Sequence, residues 1–426
     1  MSFALGLVPG VLLLLGFPLY LVLLAACSVA LVFFMHIPFA ALHQNLFGAI
    51  DVFALLAVPF FIYAGELMGR GSVARRIVDL VQAGAGPLRG SLGVTTVGTS
   101  AVFGAISGAS AATVATIGRI LLPALRAARY PERFTAGLLT AVGAIDIVIP
   151  PSIPMIVYGA SANESVPRLY AAGIVPGLLI AALLAAYVVF VARRHGVDAP
   201  RGFDARTLAR ALGRSLWALG APVIILGGIY GGIFSPTESA AVACVYAAFV
   251  TRFVYRDVSW AEILDCAAGT VRITAQIFII VACASVYSWL LTVQQVPQVL
   301  VDWVVAQKLS AGEVLLAVNV LLLVVGCFVD PLSAILVLTP LLVPLAKSLG
   351  IDTVHFGVIM TVNLAIGLFT PPFGINIFVA QSALKLDTAT IYAGLAPFVI
   401  LYVAALVLIT YLPSISLVGV RLFLST

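Results

Sequence analysis

Charge is what this sequence lacks most. Asp, Glu, Lys and Arg make up 9% of it, against about 25% in soluble globular domains, so the soluble class is excluded. Cysteine is scarce, odd in number and scattered over Cys27, Cys244, Cys266, Cys283 and Cys327. That pattern supports neither a disulfide framework nor a Cys-x-x-Cys metal site. His36, His43, His195 and His355 are dispersed and near loops, so no histidine metal centre is expected. The chain also lacks a Gly-x-x-x-x-Gly-Lys-Ser/Thr loop, a Gly-x-Ser-x-Gly elbow and a His-Glu-x-x-His helix, which removes the usual nucleotidase and hydrolase signatures. A net charge of +5 suggests nucleic acid only until the arginines are placed. They fall in short loops between apolar runs, where membrane orientation explains them better.

What is present is apolar sequence, 62% of the residues, with a mean hydropathy of +1.18. The reading is an all-α polytopic membrane protein. The stretch Ala4 to Phe34 carries no charge and runs past a signal-peptide core, so it is expected to stay as one membrane helix. A loop from His36 to Gly48 and a second helix at about 50–69 follow. Arg70, Arg75, Arg76 and Arg89 then mark a cytoplasmic stretch, which makes the amino terminus cytoplasmic and, counting spans, the carboxyl terminus periplasmic. The pieces Val73 to Gln82 and Trp260 to Ala268 read as amphipathic interfacial arms.

One pattern occurs twice. Pro150-Pro151 answers to Pro371-Pro372, Ala172-Gly173 to Ala393-Gly394 and Pro176 to Pro397, all at one offset. A fixed offset across several motifs means a duplicated unit. Each unit starts with apolar limbs around a polar, small-residue centre: Gly104 to Thr113 in the first, Asp330 to Ser333 in the second. Limbs of about 15 residues span roughly 22 Å, short of a hydrocarbon core of roughly 30 Å. Each is therefore read as a re-entrant hairpin, followed by a helix broken at the proline pair and by a further span. The resulting domains are a scaffold and arm (1–90), a first transport unit (91–192; hairpin 91–126, broken helix 134–160), a cytoplasmic loop with a connecting span (193–234), further scaffold and arm (235–311), and a second transport unit (312–426; hairpin 312–347, broken helix 354–382). One odd connecting span inverts the second unit, the arrangement of secondary transporters.

Proline has no N–H and clashes with the preceding turn, so each break frees carbonyls that lipid cannot satisfy. Freed carbonyls, hydroxyls and a carboxylate are hard ligands suited to an alkali cation. Pairing each hairpin tip with the break of its own unit gives two candidate cation sites. The first takes Ser107, Gly108 and Ser110 with Gly143 and Pro150; the second takes Asp330 and Ser333 with Gly367, Thr370 and Asn376. A substrate between them would meet Thr113, Pro151, Ser152, Pro371 and Asn376. The less specific readings are that Gly104 to Ala112 merely lets helices pack, that the prolines are kinks, that Asp330 caps a helix, and that Glu66 and Glu238 are structural residues near span ends.

At these residues the sequence resembles the large membrane (permease) subunit of tripartite ATP-independent periplasmic (TRAP) transporters. FGAISGASAATVATIG, IPPSIPMIVYG, RLYAAGIVPGLL, GIFSPTESAAVA, DPLSAILVLTPLLVP and GLFTPPFGINIFVAQ carry the resemblance, in order and over nearly the whole chain. The length fits a large subunit unfused to its small partner. The resemblance implies a sodium-driven elevator importer of organic acids in the bacterial inner membrane. It also implies two partners, a small membrane subunit and a periplasmic substrate-binding protein. Arg119 and Asp146 depart from that pattern by standing where small residues are usual. An unpaired charge at bilayer depth costs about 3 kcal/mol or more, so either the two pair or Arg119 meets a substrate carboxylate. Other readings are a stand-alone ion-coupled carrier, a channel, or a protease using Asp146 and Asp330 or Ser107.

Overall fold

The computed structural model describes residues 3–35, 39–197 and 204–424, and among them there is no strand. The uncharged amino-terminal stretch is not one helix. A π turn (Phe3–Leu7) leads into α1 (Val8–Leu14), and α2 (Leu19–Phe34) starts only after a turn. Gly16 at φ +80° and Pro18 interrupt the run, one adopting a left-handed backbone and the other removing a donor. Where a loop is expected, α3 (Phe39–Ile50) forms and packs on a later long helix; of that loop, residues 36–38 lie outside the described ones. After a 3-10 turn come α4 (Ala57–Arg70) and the arm α5 (Val73–Ala85). The arm buries Val73, Ala74, Ile77 and Val78 on one face, the helical spacing its sequence predicts.

The first repeated unit then unfolds as α6 (Ser91–Ser107), a two-residue tip, α7 (Ser110–Ala127), α8 (Glu132–Ala141), the one-turn α9 (Gly143–Asp146), a break, α10 (Ile153–Ala162) and α11 (Val166–Arg194). Next are α12 (Ala205–Tyr230), α13 (Pro236–Phe249) and α14 (Trp260–Val293). Here a second expectation fails, because the piece 260–268 is not a separate arm. Ser259 and Glu262 form a capping box, and the isolated Gly269 does not stop a helix. The element therefore runs on for roughly 50 Å.

α15 (Val296–Ala306) leads to the second unit, α16 (Ala311–Gly326), a tip, α17 (Pro331–Ser348), α18 (Thr353–Gly367), a break, α19 (Ile375–Leu384) and α20 (Thr388–Tyr411). The order of elements matches the first unit, down to a cis proline pair in each break. A last helix, α21 (Pro413–Phe423), was not legible in the sequence; it lies along α11, and Phe423 stacks on Tyr230 at 5.0 Å. Among the described residues, seven helices are long and apolar enough to cross a membrane.

The two units interlock in the core. Gly137 of α8 and Gly394 of α20 are in backbone contact, and the Tyr402 hydroxyl donates to the Ala141 carbonyl at 2.9 Å. A buried polar chain ties α16, α18, α20 and α21. In it the Asn363 amide donates to Asn319 Oδ1 (2.8 Å), the Asn319 amide donates to Thr410 Oγ1 (3.0 Å), and the His355 ring lies 3.3 Å from the Thr410 carbonyl and 3.2 Å from Ser416 Oγ. His355 is thus a core residue in a hydrogen-bonded network.

Candidate transport site

The α6–α7 tip leaves the helix at Gly108 and at Ala109, whose backbone is extended. Gly108 closes α6 in a left-handed conformation (φ +59°). Buried beneath the tip is Asp146, fully shielded from solvent. Its Oδ2 accepts from Thr113 Oγ1 at 2.5 Å and from Ser107 Oγ at 3.4 Å, so one carboxylate holds both limbs of the hairpin. Its Oδ1 has no hydrogen-bond partner among the described residues. The approach is possible because residue 104 is glycine: a Cβ there would stand 2.5 Å from that same Oδ1.

Asp146 and Arg119 do not pair. Arg119 is exposed, and the ion pairs among the described residues are Arg70–Asp265, Arg126–Glu132 and Arg210–Asp204. The reason is helical geometry. Thr113 faces Asp146, and six residues further along Arg119 is turned roughly 240° away.

Asn376 also sits elsewhere than in a site confined to the second unit. From the first turn of α19 its amide donates to Ser110 Oγ (2.9 Å) and to the Thr140 carbonyl (3.2 Å), so it joins the second break to the first hairpin. Gly143 lies against Ser110. In the first break, Pro151 presents its carbonyl to Gly108, and Ser152 spends its hydroxyl internally, donating to the Ile147 carbonyl (2.5 Å) and accepting from the Met155 amide (3.4 Å). Ser152 is therefore a cap within the break, with its hydroxyl already committed.

The second tip lies on the second break, with Gly326 against Gly367 and the Phe328 ring tilted against that of Phe373 at 5.7 Å between centroids. Asp330 caps α17. One carboxylate oxygen accepts from the Ser333 amide at 3.0 Å and the other from the Ser333 hydroxyl. Thr370 donates to the Ile366 carbonyl at 2.6 Å, and the Pro372 carbonyl, next to Pro371, accepts from Tyr392 at 2.9 Å.

Both units meet on one cavity of about 620 Å³. Ser107, Gly108 and Ser110 line it from the first hairpin, Asp330 from the second and Asn376 from the second break, while Thr113, Arg119, Gly143, Pro150, Pro151, Ser152, Ser333, Gly367, Thr370 and Pro371 do not. The opposite wall, from α4 and α14, is apolar apart from Glu66 and Gln276. Glu66, which the sequence places as a structural residue near a span end, lines the cavity, and nothing in the pattern around Gln276 marks it. The arrangement offers the Ser107 and Ser110 hydroxyls, the Asn376 amide and the Asp330 carboxylate to a cavity that also has an apolar lining from α4 and α14, with the Asp146 Oδ1 buried beneath the first tip.

Comparison with known proteins agrees with this architecture. The family model for the tripartite ATP-independent periplasmic transporter, DctM component, matches residues 7–415. The isethionate TRAP transporter permease protein DctMQ of Oleidesulfovibrio alaskensis is 39% identical over 94% of this chain, which spans 63% of that protein. The C4-dicarboxylate TRAP transporter large permease protein DctM of Pseudomonas aeruginosa is 42% identical over 88% of this chain and 87% of its own length. Among solved structures, the Alcanivorax borkumensis YdaH transporter superposes with a TM-score of 0.64 at 16% identity, over 95% of this chain and 98% of its own, a likeness of fold alone. With a family match over nearly its whole length, the chain belongs to the DctM component family of tripartite ATP-independent periplasmic transporters, a multi-pass membrane permease component and not an enzyme.

Proposed function

We propose that this permease component imports an organic acid anion coupled to sodium, through an elevator motion of both hairpins and both broken helices against a scaffold that includes α4 and α14. A periplasmic binding protein delivers the anion and a small membrane subunit completes the scaffold. The arginine-rich side faces the cytoplasm. The observation that carries this reading is the cavity shared by the two units, with oxygen donors on one wall and apolar residues on the other.

Three features support it. Oxygen donors at the first tip fit an alkali cation: Ser107 and Ser110 hydroxyls, the Pro151 carbonyl and the unpartnered Asp146 Oδ1. The second tip holds fewer free donors because Asp330 is occupied by Ser333. Arg119 continues the face of α7 that begins at Ala112, roughly 10 Å along the helix from the cavity wall, where a guanidinium attracts an anionic cargo to the path. Finally, among the described residues no hydrogen bond joins α4 or α14 to α6, α7 or α17. Within each side such bonds are present, such as Tyr63 to the Ile263 carbonyl (3.4 Å) in the scaffold and Tyr158 to the Thr353 carbonyl (2.7 Å) in the transport units. An unbonded apolar boundary between two bonded bodies suits sliding.

The test is uptake into proteoliposomes holding this chain and the small subunit, with an inward sodium gradient and a binding protein loaded with a labelled dicarboxylate. Uptake should need all three and fall with Ser110→Ala, Asn376→Ala or Asp330→Asn. Equal uptake with a proton gradient alone would overturn sodium coupling, and uptake without a binding protein would leave a stand-alone carrier.

A further inference from the structure

A second cavity, of about 670 Å³, lies away from the transport site, between the arm α5 and the start of α12. Arg75 and Arg76 line it from the arm and Arg210 and Arg214 from α12, against two carboxylates, Asp79 and Asp204. Four guanidiniums outnumber the two carboxylates, Asp79 and Asp204, so the lining keeps a positive balance. Asp204 is engaged as the cap of α12, accepting from the amides of Arg206 (3.0 Å) and Thr207 (3.2 Å), and Arg210 reaches it at 3.9 Å. Arg76 is held in place: Nε donates to Ser72 Oγ at 3.0 Å, Nη1 donates to the Arg214 carbonyl at 3.4 Å, and the guanidinium lies 3.9 Å over the Tyr255 ring. The side chains of Arg75 and Arg214 have no hydrogen bond or ion pair among the described residues. Two free guanidiniums beside one fixed guanidinium make a site for an anion, and their planar forks match the oxygens of a phosphate.

The rim decides the source of that phosphate. Trp217, one turn beyond Arg214 on α12, is exposed, as are Leu212 and Leu216 on the same helix and Leu88 just after the arm. Trp217 begins a run of ring contacts through Phe249 (6.5 Å), Phe253 (5.7 Å) and Trp260 (6.0 Å), with Arg252 lying 5.6 Å over Trp260. Aromatic rings interleaved with arginines are what a chain places at a membrane–water boundary. The cavity is far larger than an inorganic phosphate and is open beside apolar surface that acyl chains can cover. Basic pockets between helices at that level suit anionic headgroups.

We propose that this cleft binds the phosphate-bearing headgroup of an anionic phospholipid, with Arg75 and Arg214 as its principal ligands. Ser91, the first residue of α6, lines the same cavity, so a seated headgroup bridges the arm to the first hairpin. The inference rests on the position of the cleft and stands apart from the coupling ion and cargo.

Native mass spectrometry of the full chain in detergent tests it, with phosphatidylglycerol, phosphatidylcholine or inorganic phosphate added. Phosphatidylglycerol should be retained well above phosphatidylcholine, and the double substitution Arg75→Gln/Arg214→Gln should weaken that retention roughly thirtyfold. Arg193→Gln/Arg194→Gln, which removes the same charge from the end of α11 outside the cleft, should leave it unchanged. If the double variant does not accumulate, Arg214→Lys, which keeps the charge and loses the fork, should still lower retention several-fold. Equal retention of the two lipids, or an equal loss in the α11 variant, overturns the proposal. So does full displacement by an equal concentration of inorganic phosphate, which would make the ligand a free anion. Loss of the lipid on assembly with the small membrane subunit would give the cleft to that partner instead.

Discussion

At the residue scale the site turns on Asp146. The sequence marks it as an unusual charge and singles out Ser107 as a candidate ligand, because Ser107, Gly108 and Ser110 stand in a run where small polar residues interrupt apolar ones, but it does not bring the two together. It cannot show that Thr113 rather than Arg119 is the partner, since linear order hides which way each side chain points. Asp146→Asn keeps an acceptor for Thr113 and Ser107, so protein yield should hold while the sodium concentration for half-maximal uptake rises on the order of tenfold. Unchanged sodium dependence would remove Asp146 from the cation site. Thr113→Val should lower stability by about 1.5–3 kcal/mol, because a buried carboxylate loses its shorter hydrogen bond. Thermal unfolding in detergent reads this, and Thr113→Ser should restore most of it.

At the element scale, hairpins and breaks were legible because glycine, serine and proline punctuate otherwise apolar runs. The joins of α1 to α2 and of the arm to α14 were not, because an apolar run looks alike whether it bends or continues. The second-unit position of Asn376 misled for a related reason, since a repeat predicts equivalent elements and is silent on how the two copies cross. That crossing is tight where α8 meets α20, and Gly137→Ala would drive its Cβ into the Gly394 carbonyl, which has no side chain to yield. A loss of about 1–3 kcal/mol is expected, and an unaltered melting temperature would mean that the two helices can part there without penalty.

At the scale of the whole molecule, what matters is which surfaces are bonded and which merely touch. The two units are stitched together by Asn376, Tyr158 and Tyr402, and α4 and α14 by Tyr63 and Arg70. Ala111 and Ala112 from α7 and Gln276, Ile277 and Ile280 from α14 line the same cavity, with no hydrogen bond among the described residues joining the two helices. Breaking several buried hydrogen bonds at every cycle would cost about 1 kcal/mol or more for each, whereas small apolar side chains can exchange one set of neighbours for another. Motion is thus expected along this boundary, with the bonded bodies kept intact. Cysteines introduced by Ala112→Cys and Gln276→Cys should crosslink in one of two conditions, with and without sodium and substrate, and a pair within the transport units, placed by Ser110→Cys and Asn376→Cys, should crosslink equally in both. If the cross-cavity pair reacts at the same rate in both conditions, the units do not slide and the elevator reading fails. If the internal pair is the one that changes, the hairpins open within the units and the moving part is smaller than proposed.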